Sequence, residues 1–158
     1  MRKVISNTTP LIALADIGEL NILHYLYGDI IIPAAVKEEI QSEPAKTAVE
    51  SAEWIRVVDI NDFKQRKMYQ ARLHKGEVDV MILAQEQGAE LVIIDDNAAK
   101  KTAKYLGLKV TGTLGVVLRA KNEGLIKSVK TIMEKLSNDG FFIGEEVKRL
   151  VLREAGEE

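Results

Sequence analysis

The 158-residue sequence contains no cysteine. That absence excludes disulfides and any zinc site built on thiolates, and suits a reducing cytosol or a hot one that selects against labile side chains. Only two histidines occur, His24 and His74. They are too few and too far apart in sequence for an imidazole-based zinc site, and read as packed or surface residues. No apolar run reaches the ~18 residues needed to cross a bilayer, and the apolar stretch in "MRKVISNTT" is too short for a signal peptide. The expectation is a cytoplasmic protein with no membrane partner. An excess of one charge is missing too: 22 Lys and Arg against 24 Asp and Glu leave a net −2. The whole chain therefore has no bulk attraction for nucleic acid, and any such contact needs a local patch. Internal repeats and low-complexity segments are absent as well.

What is present is ordinary globular material, 46% hydrophobic and 29% charged, long enough to bury a core in one domain. Short apolar runs alternate with helical patterns. "KVIS", "DIIIP", "IRVVDI", "AELVIIDD" and "LKVTG" read as strands, the second because consecutive β-branched residues favour extended backbone. Thr8 or Thr9 is placed to cap a helix that takes Pro10 in its first turn, and a second helix ends at Gly28. Helices follow over "PAAVKEEIQS", "TAVESAEW", "FKQRKMYQARLH" behind a capping Asp62, "KGEVDVMILAQEQG" and "NAAKKTAKYLG". Three more run from Thr113 to Ala155, broken near Gly124 and at Asn138-Asp139-Gly140. Mostly apolar strands alternating with helices predict an α/β fold with a parallel sheet covered on both faces.

In open parallel sheets, ligands sit beyond the carboxyl ends of the strands. Two strands end in polar residues there: "VISN" at Asn7, with Thr8 and Thr9 next, and "LVIID" at Asp95, with Asp96 next. Each cluster is either a turn with a helix cap or, if the strands are neighbours, one wall of a site. Glu39 shares a predicted helix face with Ala35, Val36 and Ile40. A carboxylate there needs either a basic partner or a cation. Glu77 and Asp79 open a helix that is apolar nearly all round. Either they favour the positive end of its dipole, or one of them works in a site. Two residues apart means about 200° of rotation, so both cannot face it. Acids from three segments suit a hard divalent cation such as Mg²⁺ or Mn²⁺, which takes carboxylate, carbonyl and water oxygens. Lys100, Lys101, Lys104, Arg119 and Lys121 are either contacts for an RNA backbone or a solvated face. "VTGT" either caps the next helix through Thr113 or presents N–H groups to a phosphate. Phe142, Val147, Leu150 and Val151 form a stripe that either packs on its own domain or docks on a second copy or another protein.

"VISNTTPLIALADIGELNIL", "IIPAAVKEEI" and "GEVDVMILAQEQGAELVIIDDNAAKKTAKYLGLKVTGTLGVVLRAK" together resemble the PIN-domain superfamily, the VapC-like ribonuclease fold. They are most similar to a branch with a Ser-Asn-Thr-Xaa-Pro opening. The resemblance covers residues 4–126. It implies a three-layer α/β sandwich around a central parallel sheet of four or five strands. A PIN-like domain over 1–126 would carry a helical C-terminal extension over 127–158. It also implies a Mg²⁺- or Mn²⁺-dependent ribonuclease acting on single-stranded RNA, in the manner of the toxin of a toxin–antitoxin pair, with an antitoxin partner and a homodimer among the expectations. By motif position the family acids fall on Asn7, Glu39, Glu77 and Asp95, with Asp79 and Asp96 near enough to assist and Thr8, Thr9 and Thr113 toward substrate. Asn7 departs from the pattern: an amide oxygen ligates without charge and is no general base. A catalytically weakened interaction module is the alternative that this departure leaves open.

Overall fold

The computed structural model describes residues 3–71 and 73–158. Met1, Arg2 and Arg72 lie outside them, and with them the start of "MRKVISNTT" and one position of the helix expected over 63–74. Five strands form one all-parallel sheet: β1 (Val4–Ser6), β2 (Ile30–Ile32), β3 (Ile55–Val57), β4 (Leu91–Ile93) and β5 (Val110–Thr111). Every residue of β1, β2 and β4 is buried. A three-residue strand can bury all its side chains only if helices cover both faces, which makes the three-layer α/β sandwich.

The strand order is β3-β2-β1-β4-β5. The chain moves outward from β1 through β2 to β3, then returns to lay β4 on the other side of β1. The order reverses between β1 and β4, and that reversal opens a crevice beyond their carboxyl ends. The register pairs Ser6 with Ile93, and the Asn7 amide donates to Ile93 O at 2.9 Å. Asn7 and the Asp95-Asp96 pair therefore leave the sheet side by side.

The helices follow the expected places closely: α1 (Thr8–Asp16), α2 (Asn21–Tyr27), α3 (Ala34–Glu39), α4 (Ala45–Ser51), α5 (Arg66–Tyr69), α6 (Lys75–Gln87), α7 (Asn97–Tyr105), α8 (Thr113–Asn122), α9 (Val129–Asn138) and α10 (Glu145–Glu154). In α6 every residue from Gly76 to Ala84 is buried, and the helix stops at Gly88, whose φ of +61° is a left-handed conformation that glycine adopts without a Cβ penalty. Helix α3 packs on α6, and α8 packs on α2, α9 and α10.

Two expectations need correction. The cap of α1 is Asn7 rather than Thr8 or Thr9, and its side chain makes no capping bond; the Thr8 hydroxyl is engaged elsewhere. The helix over 63–74 shrinks to a 3₁₀ turn at Phe63–Gln65, capped by Asp62, followed by the short α5. Phe63 and Met68 are exposed while Tyr69 and Leu73 are buried, so the segment has too few inward apolar residues to hold a longer helix on the body. No described helix is long and apolar enough to cross a membrane.

The C-terminal end is fastened by one side chain. The Glu157 carboxylate accepts from Lys121 Nζ at 2.7 Å, the Val129 amide at 2.7 Å, Ser128 Oγ at 3.0 Å and the Lys130 amide at 3.1 Å. These donors hold the Glu157 carboxyl at a pKa of about 2, below the ordinary 4.5. Of the expected apolar stripe, Val151 is buried, while Phe142, Val147 and Leu150 remain exposed.

Candidate functional site

The crevice begins at Asn7. Leaving β1 in extended backbone, Asn7 is 4% exposed, and its Oδ1 is a buried acceptor with no hydrogen-bond donor among the described residues. Such an orphan costs free energy unless a donor or a cation meets it. The next residue, Thr8, donates its hydroxyl to Glu39 Oε2 at 2.9 Å. That bond draws the last residue of α3 to the end of β1.

Glu39 was expected on the buried stripe with Val36 and Ile40. It is instead exposed, while Ala35, Val36 and Ile40 are buried. Helix α3 ends at Glu39, so the side chain leaves the apolar face and lays its carboxylate over Gly76. A Cβ at Gly76 would collide with Glu39 Oε1. The glycine is a clearance that motif reading alone did not single out.

Glu77, one residue on, is 7% exposed. Its Oε1 accepts from the His74 amide at 3.1 Å, closing the first turn of α6 in the manner of a capping box. Burial raises the Glu77 pKa above the ordinary carboxylate value. The His74 amide opposes that shift, the negative charge of Asp96 adds to it, the His74 ring opposes it and the charge of Glu39 adds to it. Glu77 thus sits in the field of acids from both other arms of the crevice.

Asp95 and Asp96 divide the end of β4 between two jobs. Asp95 is half-buried and spends both oxygens on the start of α8: Oδ1 accepts from the Thr113 amide at 2.8 Å and Oδ2 from the Thr113 hydroxyl at 2.6 Å. Gly112 leaves room for it, since a Cβ there would stand 2.7 Å from Asp95 Oδ1 and 3.0 Å from Lys100 Nζ. Asp96 caps α7 by accepting from the Ala99 amide through Oδ2 at 2.9 Å, and is the strand-end acid that acts on Glu77.

The remaining candidates are held away. Asp79, fully buried, takes a bidentate pair from Arg66, Nε to Oδ1 at 2.9 Å and Nη2 to Oδ2 at 2.8 Å. The 200° of rotation that separates it from Glu77 turns it to the α5 side. Thr9 is exposed and lies beside Asp16 and Asp139 rather than Glu39, Glu77 or Asp96. Thr113, fully buried, is committed to Asp95 and is not open to a substrate. Arg66 was not anticipated as a partner for Asp79, because the sequence carries no local signal linking an arginine at the start of α5 to a side chain thirteen positions on.

Among the described residues, no three Asp, Glu or His side chains form a ready-made metal-holding group. Asn7, Glu39, Glu77 and Asp96 nonetheless supply oxygen donors only, the chemistry a hard divalent cation takes.

The sequence profile of the PIN domain matches residues 3–157. The chain belongs to the PIN-domain family. No curated protein matches it. The family match runs past residue 126 to take in α9 and α10, which the resemblance in the sequence had left outside. In this PIN domain the reversal of strand order, the orphaned Asn7 oxygen and the Glu77 carboxyl lie at one end of the sheet, and a nuclease-type fold is what the family match supports.

Proposed function

We propose that this PIN domain is a Mg²⁺- or Mn²⁺-dependent ribonuclease that hydrolyses phosphodiester bonds of single-stranded RNA. The observation that carries the reading is the buried Asn7 Oδ1 without a donor, beside a Glu77 carboxyl that feels Asp96 and Glu39. A pocket rich in side-chain oxygens with one of them orphaned fits a hard cation, and Glu39, Glu77 and Asp96 would hold it with Asn7 as a neutral ligand. When bound, such an ion lowers the pKa of a water and offsets charge on the phosphoryl oxygens.

The chain's own residues set the arrangement. Thr8 fixes the Glu39 carboxylate, leaving Oε1 toward Gly76. The His74 amide fixes Glu77. Asp95 acts at one remove, by anchoring Thr113 and the start of α8. Calorimetric titration with Mn²⁺ and a cleavage assay on unstructured RNA test the reading together. Glu77→Gln should lose both binding and cleavage; cleavage retained by the purified variant would overturn the assignment.

A second reading has its own observation. Asn7 stands where the resemblance implies aspartate, which takes one charge from the site and suits an interaction module of weakened catalysis. No Mn²⁺ binding at millimolar concentration, with RNA binding intact, would select it.

The nuclease reading carries a cytoplasmic setting and the role of a toxin restrained by an antitoxin. The exposed Phe142, Val147 and Leu150 on and before α10 are the surface on which that partner or a second copy would dock. Light scattering of the isolated chain distinguishes a homodimer from a monomer.

A further inference from the structure

Near the candidate site in sequence lies a groove of about 640 Å³ between α7 and a wall formed by Met68, Tyr69, Ala71 and Leu73, within the size range of small-molecule sites. Its α7 wall is built from Ala98, Lys101, Thr102 and Tyr105. The spacing i, i+3, i+4, i+7 places these four on one helix face. Tyr105 is 90% exposed and Met68, on the opposite wall, 73% exposed. Two large apolar side chains facing water across a groove need an occupant more than scattered surface residues do.

Charge and position identify that occupant. Helix α7 reads "NAAKKTAKY", with three lysines and no acid. Lys101 and Tyr105 are one turn apart and both line the groove, so a cation and a ring share this helix face. Ala98 is two residues past Asp96, and Leu73, also in the groove wall, directly precedes His74, whose amide holds Glu77. The groove therefore runs from the acids to an exposed aromatic along a basic helix. An anionic chain carrying flat π faces matches the helix and the ring: phosphates on lysine, a base on the tyrosine.

We propose that this groove is a subsite of the nuclease reading, on which it rests, in which a base of single-stranded RNA stacks on Tyr105 against Met68. Lys101 pairs with the adjoining phosphate, and the neighbouring linkage is delivered toward Glu77 and Asp96. The contact is with the π face rather than with base edges, so the subsite accepts any base. It also resolves how a chain of net charge −2 holds RNA: the basic stripe is local.

The test is fluorescence anisotropy in EDTA, with a short labelled single-stranded oligoribonucleotide and an abasic oligomer of the same length. Tyr105→Ala should weaken the base-bearing oligomer by about 5- to 150-fold, the range measured for one stacked base, and leave the abasic one unchanged. Tyr105→Phe should bind as the wild type. Lys101→Ala should weaken both oligomers. Equal binding of the base-bearing oligomer by wild type and Tyr105→Ala, or no binding by the wild type, overturns the subsite. So does a wild-type self-association that Tyr105→Ala abolishes without touching RNA affinity. Mn²⁺-dependent cleavage by the wild type, scored separately, keeps the two readings apart. Cleavage with Tyr105-independent binding sinks the subsite alone, and Tyr105-dependent binding without cleavage sinks the nuclease alone.

Discussion

Glu39 rests its carboxylate on Gly76, with Oε2 3.1 Å from where a Cβ would be and Oε1 closer still. The contact joins the end of α3 to the first turn of α6, immediately before Glu77. Because the glycine is helical and its missing Cβ faces a carboxylate, one methyl group tests the site without dismantling the fold. Gly76→Ala should push Glu39, one of the proposed ligands, off its place and lower Mn²⁺ affinity by about tenfold or more, since losing even an outer contact at a metal site costs that much. Alanine gains up to ~1 kcal/mol of helix propensity over glycine, which offsets part of the displacement, so the melting temperature should stay within a few degrees. Unaltered Mn²⁺ affinity in the folded variant would show that the Glu39 position is irrelevant to the ion.

The Arg66–Asp79 pair separates stability from the site. Asp79 is fully buried and Arg66 is 27% exposed in its side chain, so removing the arginine strands a carboxylate with no other counter-charge in contact among the described residues. Loss of one partner of a buried pair costs roughly 3–5 kcal/mol. Arg66→Ala should lower the urea midpoint accordingly. Arg66 also covers the Phe63 ring at 4.7 Å, so the 3₁₀ turn should loosen with it. Mn²⁺ affinity of the protein that remains folded should match the wild type; a selective loss of affinity would return Asp79 to the site.

What was legible in the chain was what short-range chemistry decides. Three isoleucines in a row at 30–32 can do little but form a buried strand, and Gly124 and Asn138-Asp139-Gly140 break helices by local backbone preference. Asn7 and Asp95-Asp96 were visible as polar ends of apolar strands, and the parallel order puts those ends together. The contacts that determine what each acid does are non-local. Thr8 reaches Glu39 across 31 positions and Asp95 reaches Thr113 across 18, and neither pairing has a periodic signal. The same limit hid the fate of Glu39: helix periodicity puts it on the apolar face, but the helix ends there and the side chain is pulled toward Thr8. The segment 63–74 failed for a different reason, since helical composition without inward apolar residues has nothing to pack.

Glu157 gives the fold a defined acid sensitivity. Its folded pKa of about 2 lies below the ordinary 4.5. Its contribution to stability is therefore complete above pH 4.5 and is lost as pH falls from there toward 2. Glu157→Gln should be less stable than the wild type at pH 7, and the gap between their urea midpoints should narrow below pH 4.5. Because Lys121, Ser128, Val129 and Lys130 all donate to this one carboxylate, proteolysis after α9 should also quicken in the variant. A gap that stays constant down to pH 3 would mean that the carboxylate charge is not what fastens the tail.

Asp95 and Asp96 are adjacent, and the structure gives them opposite commitments that a pair of variants can separate. Both oxygens of Asp95 already accept from Thr113, whereas Asp96 spends Oδ2 on the α7 cap and acts on Glu77 through its charge. Asparagine keeps the shape of each side chain and removes the charge. Asp96→Asn should therefore reduce Mn²⁺ affinity by more than tenfold, while an amide oxygen still caps α7 and the melting temperature changes little. Asp95→Asn keeps an oxygen on the Thr113 amide and lets its NH₂ donate to the Thr113 hydroxyl, so both bonds survive without charge assistance; it should cost only ~1 kcal/mol of stability, with the smaller effect on Mn²⁺ of the two. Calorimetry and thermal melts on both variants decide the matter. If Asp95→Asn is the one that abolishes ion binding while Asp96→Asn leaves it intact, the strand-end ligand is Asp95, and its bonds to Thr113 must open for the ion to enter.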